Sequence, residues 1–84
     1  MGWNVSVKKK IQKQIKKLPQ GVRYSLVTLL LEIESYGPVR GNWTNYGSLS
    51  NNRYHCHLKK GKPTYVAVWE ITDKKSKSVE VSYV

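Results

Sequence analysis

Residues 53–84 read RYHCHLKKGKPTYVAVWEITDKKSKSVEVSYV, and how they are read decides the fold. Three strand-like runs, RYHCHLK, TYVAVWEIT and SVEVSYV, the last two rich in β-branched and aromatic residues, are separated by the turn-rich spacers KGKP and DKKSK. Spacers this short between strand-like runs favour an antiparallel meander. Side chains alternate faces along a strand, so Tyr54, Cys56 and Leu58 point one way while His55, His57 and Lys59 point the other. On the next run Tyr65, Ala67, Trp69 and Ile71 join the apolar side, and Val66, Val68 and Glu70 join the histidines. Tyr54, Cys56, Leu58, Ala67 and Trp69 are therefore the expected core of the sheet.

Working outward, WNVSV (residues 3–7) alternates Trp3, Val5 and Val7 with polar neighbours, the pattern of a short half-buried strand. The following KKKIQKQIKKLP sets Ile11, Ile15 and Leu18 on one helical face and six lysines mostly elsewhere, with Pro19 as a stop. In GVRYSLVTLLLEIESYGP, residues Val22, Leu26, Leu29, Leu30 and Ile33 keep helical register up to the stop signals Gly37 and Pro38. This second helix is longer and more apolar than the first. VRGNWTNYGSLSNN shows neither period and reads as a surface loop whose Trp43 and Tyr46 attach to the core. The expected order is β-α-α-β-β-β in the α+β class, as one domain over residues 1–84 with two helices on one face of a small sheet.

Length and charge restrict the function. A chain of 84 residues has one modest core and excludes a large enzyme. Fifteen Lys and Arg against five Asp and Glu give a formal net charge of +10, which favours a polyanion or an acidic protein surface as partner. A single cysteine forms no internal disulfide, and no apolar run resembles a signal peptide or a membrane span of about 20 residues. The expected location is the cytoplasm.

The two histidines flanking Cys56 invite a metal reading, but strand alternation separates the cysteine from both. Two imidazoles alone are too few for zinc, which needs three or four converging ligands. Two histidines and a lysine in one row suit phosphate binding, and neutral imidazole also moves protons near neutral pH; Glu70 is the carboxylate on the same face. The same pattern fits a merely solvated sheet face. The lysine-rich first helix is likewise either a solvated face or a contact for phosphates or acidic groups, and its one-sided charge favours contact.

The segment HCHLKKGKPTYVAVWEI, preceded by a helical hairpin and the loop GNWTNYGSL, resembles the RelE/ParE superfamily of toxin–antitoxin toxins over almost the whole chain, and specifically its RelE- and HigB-like branch. The resemblance implies a toxin held inactive by a cognate antitoxin. When free it would cleave mRNA in the ribosomal A site without metal or cofactor, by attack of a ribose 2′-hydroxyl on the adjacent phosphate. Orientation, proton transfer and stabilisation of phosphate charge are what such a protein supplies.

Carried over to this chain, His55, His57 and Lys59 stand where relatives have basic groups, with Glu70 as a further acid/base candidate. Lys9, Lys10, Lys13, Lys16, Lys17, Arg53, Lys60 and Lys62 are the candidate nucleic-acid contacts. Val66 stands where many active relatives carry arginine, so that cation is either missing or supplied from elsewhere, by Arg53 or Lys62. Relatives continue beyond the last strand with a glycine and a segment bearing a catalytic basic residue and tyrosine. This sequence ends at Val84, so the resemblance leads one to expect a domain lacking that segment, and Tyr83 does not match its tyrosine. Two alternatives follow: a non-catalytic ParE-like or degenerate toxin that binds antitoxin or nucleic acid, and a generic RNA-binding domain.

Overall fold

The computed structural model describes residues 2–59 and 61–84. Its elements are β1 (Asn4–Val7), α1 (Lys9–Ile15), α2 (Gln20–Tyr36), β2 (Gly47–Ser50), β3 (Arg53–His57), β4 (Val66–Asp73) and β5 (Ser78–Tyr83). The five strands form one sheet in the order β1-β5-β4-β3-β2. β1 runs parallel to β5, and the other neighbours are antiparallel. The expected α+β architecture is present, with one strand more than the sequence pattern gives. The second half of the loop after α2 pairs with β3 as β2, joined to it by the tight turn at Asn51 and Asn52.

α1 is shorter than its apolar spacing suggests. It ends at Ile15, and Pro19 serves instead as the N-cap of α2. Proline suits that position, because it presents no amide N–H that would need a partner. α2 buries Val22, Leu26, Leu29 and Ile33, spaced four, three and four apart on one face. Complete burial of each such side chain is worth about 1.5–3 kcal/mol. The opposite face of α2 leaves Tyr24, Val27 and Leu31 exposed. The helix stops at Gly37, whose φ of 99° is costly for any residue with a side chain. A Cβ there would also stand 3.0 Å from Nε1 of Trp3.

Both helices pack on one face of the sheet. Ile11 and the α2 residues meet Cys56, Leu58, Ala67, Trp69, Val79 and Val81 in a single cluster. Trp69 lies at its centre with no exposed surface, and its indole N–H donates to the Pro38 carbonyl at 3.0 Å. Four of the five expected core residues are buried. Tyr54 is only half-buried, because its ring lies near the sheet's β2 side, stacked between Tyr46 and Trp69 with centroids 6.1 and 6.3 Å away. Leu30, read with the buried face of α2, is also half-buried.

Candidate functional site

The face of the sheet turned away from the helices holds the residues that could do chemistry. Directly opposed residues share a face, so the pairing registers define cross-strand rows. One row runs Ser6, Glu80, Glu70, Arg53, Ser50 across all five strands. A second runs Tyr83, Val68, His55, Gly47. A third pairs Val66 with His57. Arg53, His55 and His57 thus line one strand of the open face at alternate positions, with Val66 and Val68 as its apolar floor.

The two histidines differ in how they are held. Nδ1 of His55 lies 3.0 Å from the Gly47 carbonyl oxygen. A carbonyl only accepts, so Nδ1 carries the proton, and in the neutral ring the lone pair is on Nε2. His57 has no side-chain hydrogen bond among the described residues, although its backbone N–H donates to the Thr44 carbonyl at 2.8 Å. Its ring is free to act as donor or acceptor. Both imidazoles are half-buried, which limits their motion and leaves them within reach of a ligand.

Arg53 lies 4.0 Å from Glu70, a loose ion pair with the guanidinium half exposed. Such a pair contributes about 0–1 kcal/mol and leaves the arginine available to an anion. Glu70 faces Glu80 directly on the neighbouring strand, a like-charge pairing that Arg53 offsets from the other side. These groups border an open cleft lined by Ser50, Asn51, Asn52, Arg53, Glu70 and Ile71.

Lys59 falls outside the histidine row. β3 ends at His57, so alternation no longer aims the next lysine, and Lys59 instead borders a cleft with Pro19, Gly21, Val22, Ser25 and Leu58. Lys62 is exposed in the β3–β4 connection, and Lys60 lies outside the described residues. Lys9, Lys10, Lys13, Lys16 and Lys17 are exposed in and just after α1, which packs over β5 on the helix side of the sheet. The structure therefore brings together His55, His57, Arg53 and Glu70 and sets the α1 lysines on the other layer.

The sequence reading omits two ionisable members of the open face, Tyr83 and Glu80. By alternation Tyr83 would follow Val79 and Val81 into the core. An irregularity in the β4–β5 register lets Val81 oppose Trp69 while Tyr83 opposes Val68. The extra residue reverses the alternation. Tyr83 is 54% exposed in the row of His55, and Val84 packs against the core instead. No sequence signal marks that bulge. Glu80 is the second omission, and it could have been read from its position between Val79 and Val81.

Away from the open face, Cys56 and Glu32 are both perturbed. Burial pushes the Cys56 thiol up to about 12, with the charge of Glu32 adding to the effect, so this cysteine is inert as a nucleophile at neutral pH. Glu32 is held below its ordinary carboxylate range chiefly by the Trp43 indole N–H, then by Asn42 and Arg40, which all donate to one oxygen within 3.2 Å. That hub ties the loop before β2 to α2. Among the described residues no three His, Cys, Asp or Glu side chains gather as a metal site, and no helix is long and apolar enough to cross a membrane.

No protein-family model matches the chain, and no curated protein matches it by sequence. Solved structures do match by shape. An Escherichia coli RelE toxin mutant in the free state aligns with a TM-score of 0.70 at 20% identity, over 96% of this chain and 79% of that one. The archaeal RelE of the RelE–RelB complex from Pyrococcus horikoshii aligns with a TM-score of 0.75 at 15% identity, over 99% of this chain and 92% of that one. At such identities the likeness establishes the fold, and the fold is that of RelE.

Proposed function

We propose that this RelE-fold chain is the toxin of a toxin–antitoxin pair and cleaves mRNA on the ribosome by metal-independent acid/base chemistry. The observation that carries the reading is His55, its Nδ1 proton engaged by Gly47 and its Nε2 left on the open face of the sheet. In this mechanism Nε2 accepts the proton of a ribose 2′-hydroxyl as that oxygen bonds to the adjacent phosphorus. The bond from phosphorus to the 5′-oxygen breaks, and that oxygen takes a proton from His57 or Tyr83. The products are a 2′,3′-cyclic phosphate and a free 5′-hydroxyl. Arg53 offsets the added phosphate charge.

The partners on this reading are mRNA, the ribosome and an antitoxin. The archaeal neighbour is a RelE bound to RelB, which supports an antitoxin here. The exposed Tyr24, Val27 and Leu31 of α2, on a chain of formal charge +10, suit an apolar and acidic covering segment.

A second reading, a ParE-like or degenerate toxin that binds without cutting, is favoured by one specific feature. Among the described residues the centre of the open face carries one full cation, Arg53, against Glu70 and Glu80, and Val66 takes the place where the resemblance calls for arginine.

Cleavage on mRNA-programmed ribosomes by wild type, His55→Ala, His57→Ala and Tyr83→Phe separates the two. Loss of a general acid or base should slow cutting about a hundredfold or more. Thermal unfolding alongside should show His55→Ala costing about 1 kcal/mol, the worth of its one hydrogen bond. Absence of cleavage by the wild type favours binding without chemistry, and unchanged rates in all three variants assign the row to solvent.

A further inference from the structure

Gly47 and His55 are directly opposed on β2 and β3, and two independent features of that contact act on the imidazole. Nδ1–H of His55 donates a hydrogen bond to the Gly47 carbonyl at 3.0 Å. The missing side chain makes room for the ring, because a Cβ at position 47 would lie 3.1 Å from Cε1 and 3.7 Å from Nδ1 of His55. The backbone of Gly47 does not require glycine, since its φ lies outside the positive range, and a glycine weakens a strand. What glycine supplies here is room for the imidazole, which a side chain at position 47 would crowd.

We propose that Gly47 is the positioning residue of His55: its carbonyl fixes the Nδ1–H tautomer, and its bare α-carbon seats the ring so that Nε2 faces the open side of the sheet as a base. Neutral imidazole in water prefers the opposite tautomer, with the proton on Nε2, in which the outward nitrogen is a donor and cannot accept from a hydroxyl. The edge strand β2 thus determines whether the histidine on β3 is a base at all. His57, with no side-chain hydrogen bond among the described residues, has no such control.

The role of Gly47 as a catalytic device rests on the ribonuclease reading, but the tautomer itself does not. The first measurement is therefore ¹⁵N NMR of the imidazoles at a pH where both are neutral, in wild type, Gly47→Ala and Gly47→Val. Wild type should show His55 as Nδ1–H and His57 as the mixed population of free imidazole. Alanine should shift the His55 ring signals partway, and valine should return them to those of His57. The strand preference of valine offsets the lost hydrogen bond, so both variants should unfold close to the wild-type midpoint, which separates seating of the ring from loss of the fold. Cleavage on programmed ribosomes should fall about tenfold in Gly47→Ala, and in Gly47→Val as far as in His55→Ala, about a hundredfold.

Nε2–H on His55 in the wild type would overturn the proposal, as would an Nδ1–H signal unmoved by valine. If the tautomer responds as stated and the wild type cuts no RNA, the ribonuclease reading fails while the seat of His55 stands.

Discussion

Residues 8–17 carry six of the chain's fifteen Lys and Arg, all exposed on the helix layer, whereas β3 presents on the open sheet face one arginine followed at alternate positions by two histidines, with two glutamates in the arginine's cross-strand row. The first region is a strong single-sign field with no acid/base groups. The second has near-balanced charge, and every polar group in it can give or take a proton or hydrogen bond. On the proposed function, attraction and chemistry fall on opposite sides of one thin sheet. Long-range attraction does not require contact, so lysines can raise the local concentration of a polyanion from the far layer. Acid/base groups need the reverse, since a dense array of cations beside a histidine would disfavour its charged form.

On that division, the largest effect on binding comes from the lysine side. Replacing Lys9, Lys13 and Lys16 together with glutamine should weaken RNA association at least about tenfold at low salt and lower the slope of log affinity against log salt by about one per lost phosphate contact. Cleavage at saturating RNA should hold. Filter binding across a salt series checks the first part, and a slope equal to that of wild type would assign the lysines to solubility alone.

A smaller effect is expected at Glu32, which serves neither face and instead secures the loop leading into β2. Glu32→Gln should cost about 1–2 kcal/mol near neutral pH, because three donors lose their charged acceptor. The sign with pH follows from the lowered value of this carboxyl. Its stabilisation is present above the ordinary value of 4.5 and lost as pH falls through the lower folded value. Denaturant melts of wild type and variant should therefore converge in acid, and a gap independent of pH would show that the hub acts through packing.

The smallest effect lies on the sheet. Glu80→Gln relieves the direct opposition to Glu70 and should raise stability by about 0.5 kcal/mol. A loss in the same melts would mean that Glu80 has a favourable partner across the face.

Much of this architecture is legible in the sequence because burial imposes periods. Val22, Leu26, Leu29 and Ile33 announce α2, and Tyr54, Cys56 and Leu58 against His55 and His57 assign the two faces of β3. β2 escapes because Gly47, Ser48, Leu49 and Ser50 form an edge strand with no buried position, so no alternation is enforced. With β2 unseen, the partner of His55 is unseen too. Tyr83 escapes because a bulge changes which face a residue takes without changing the composition of the strand. Lys59 is overassigned for the converse reason, an alternation carried past the end of its strand. The site is less legible than the fold because its defining contacts are cross-strand registers, which one sequence does not state.

The parallel pairing of β1 with β5 sets an order of events in time. Asn4 meets Ser78, a separation of 74 residues, so the first strand emerges from the ribosome long before its neighbour exists. α1 is in the same position, since it too packs over β5. Closing a loop of that length costs on the order of 4 kcal/mol in chain entropy before any contact repays it. A hairpin such as β3 with β4 can form while synthesis continues. The sheet cannot close around β5 until that strand arrives, and the bulge that turns Tyr83 outward forms with it. On the proposed function, Tyr83 therefore joins the row of His55 only with that last pairing.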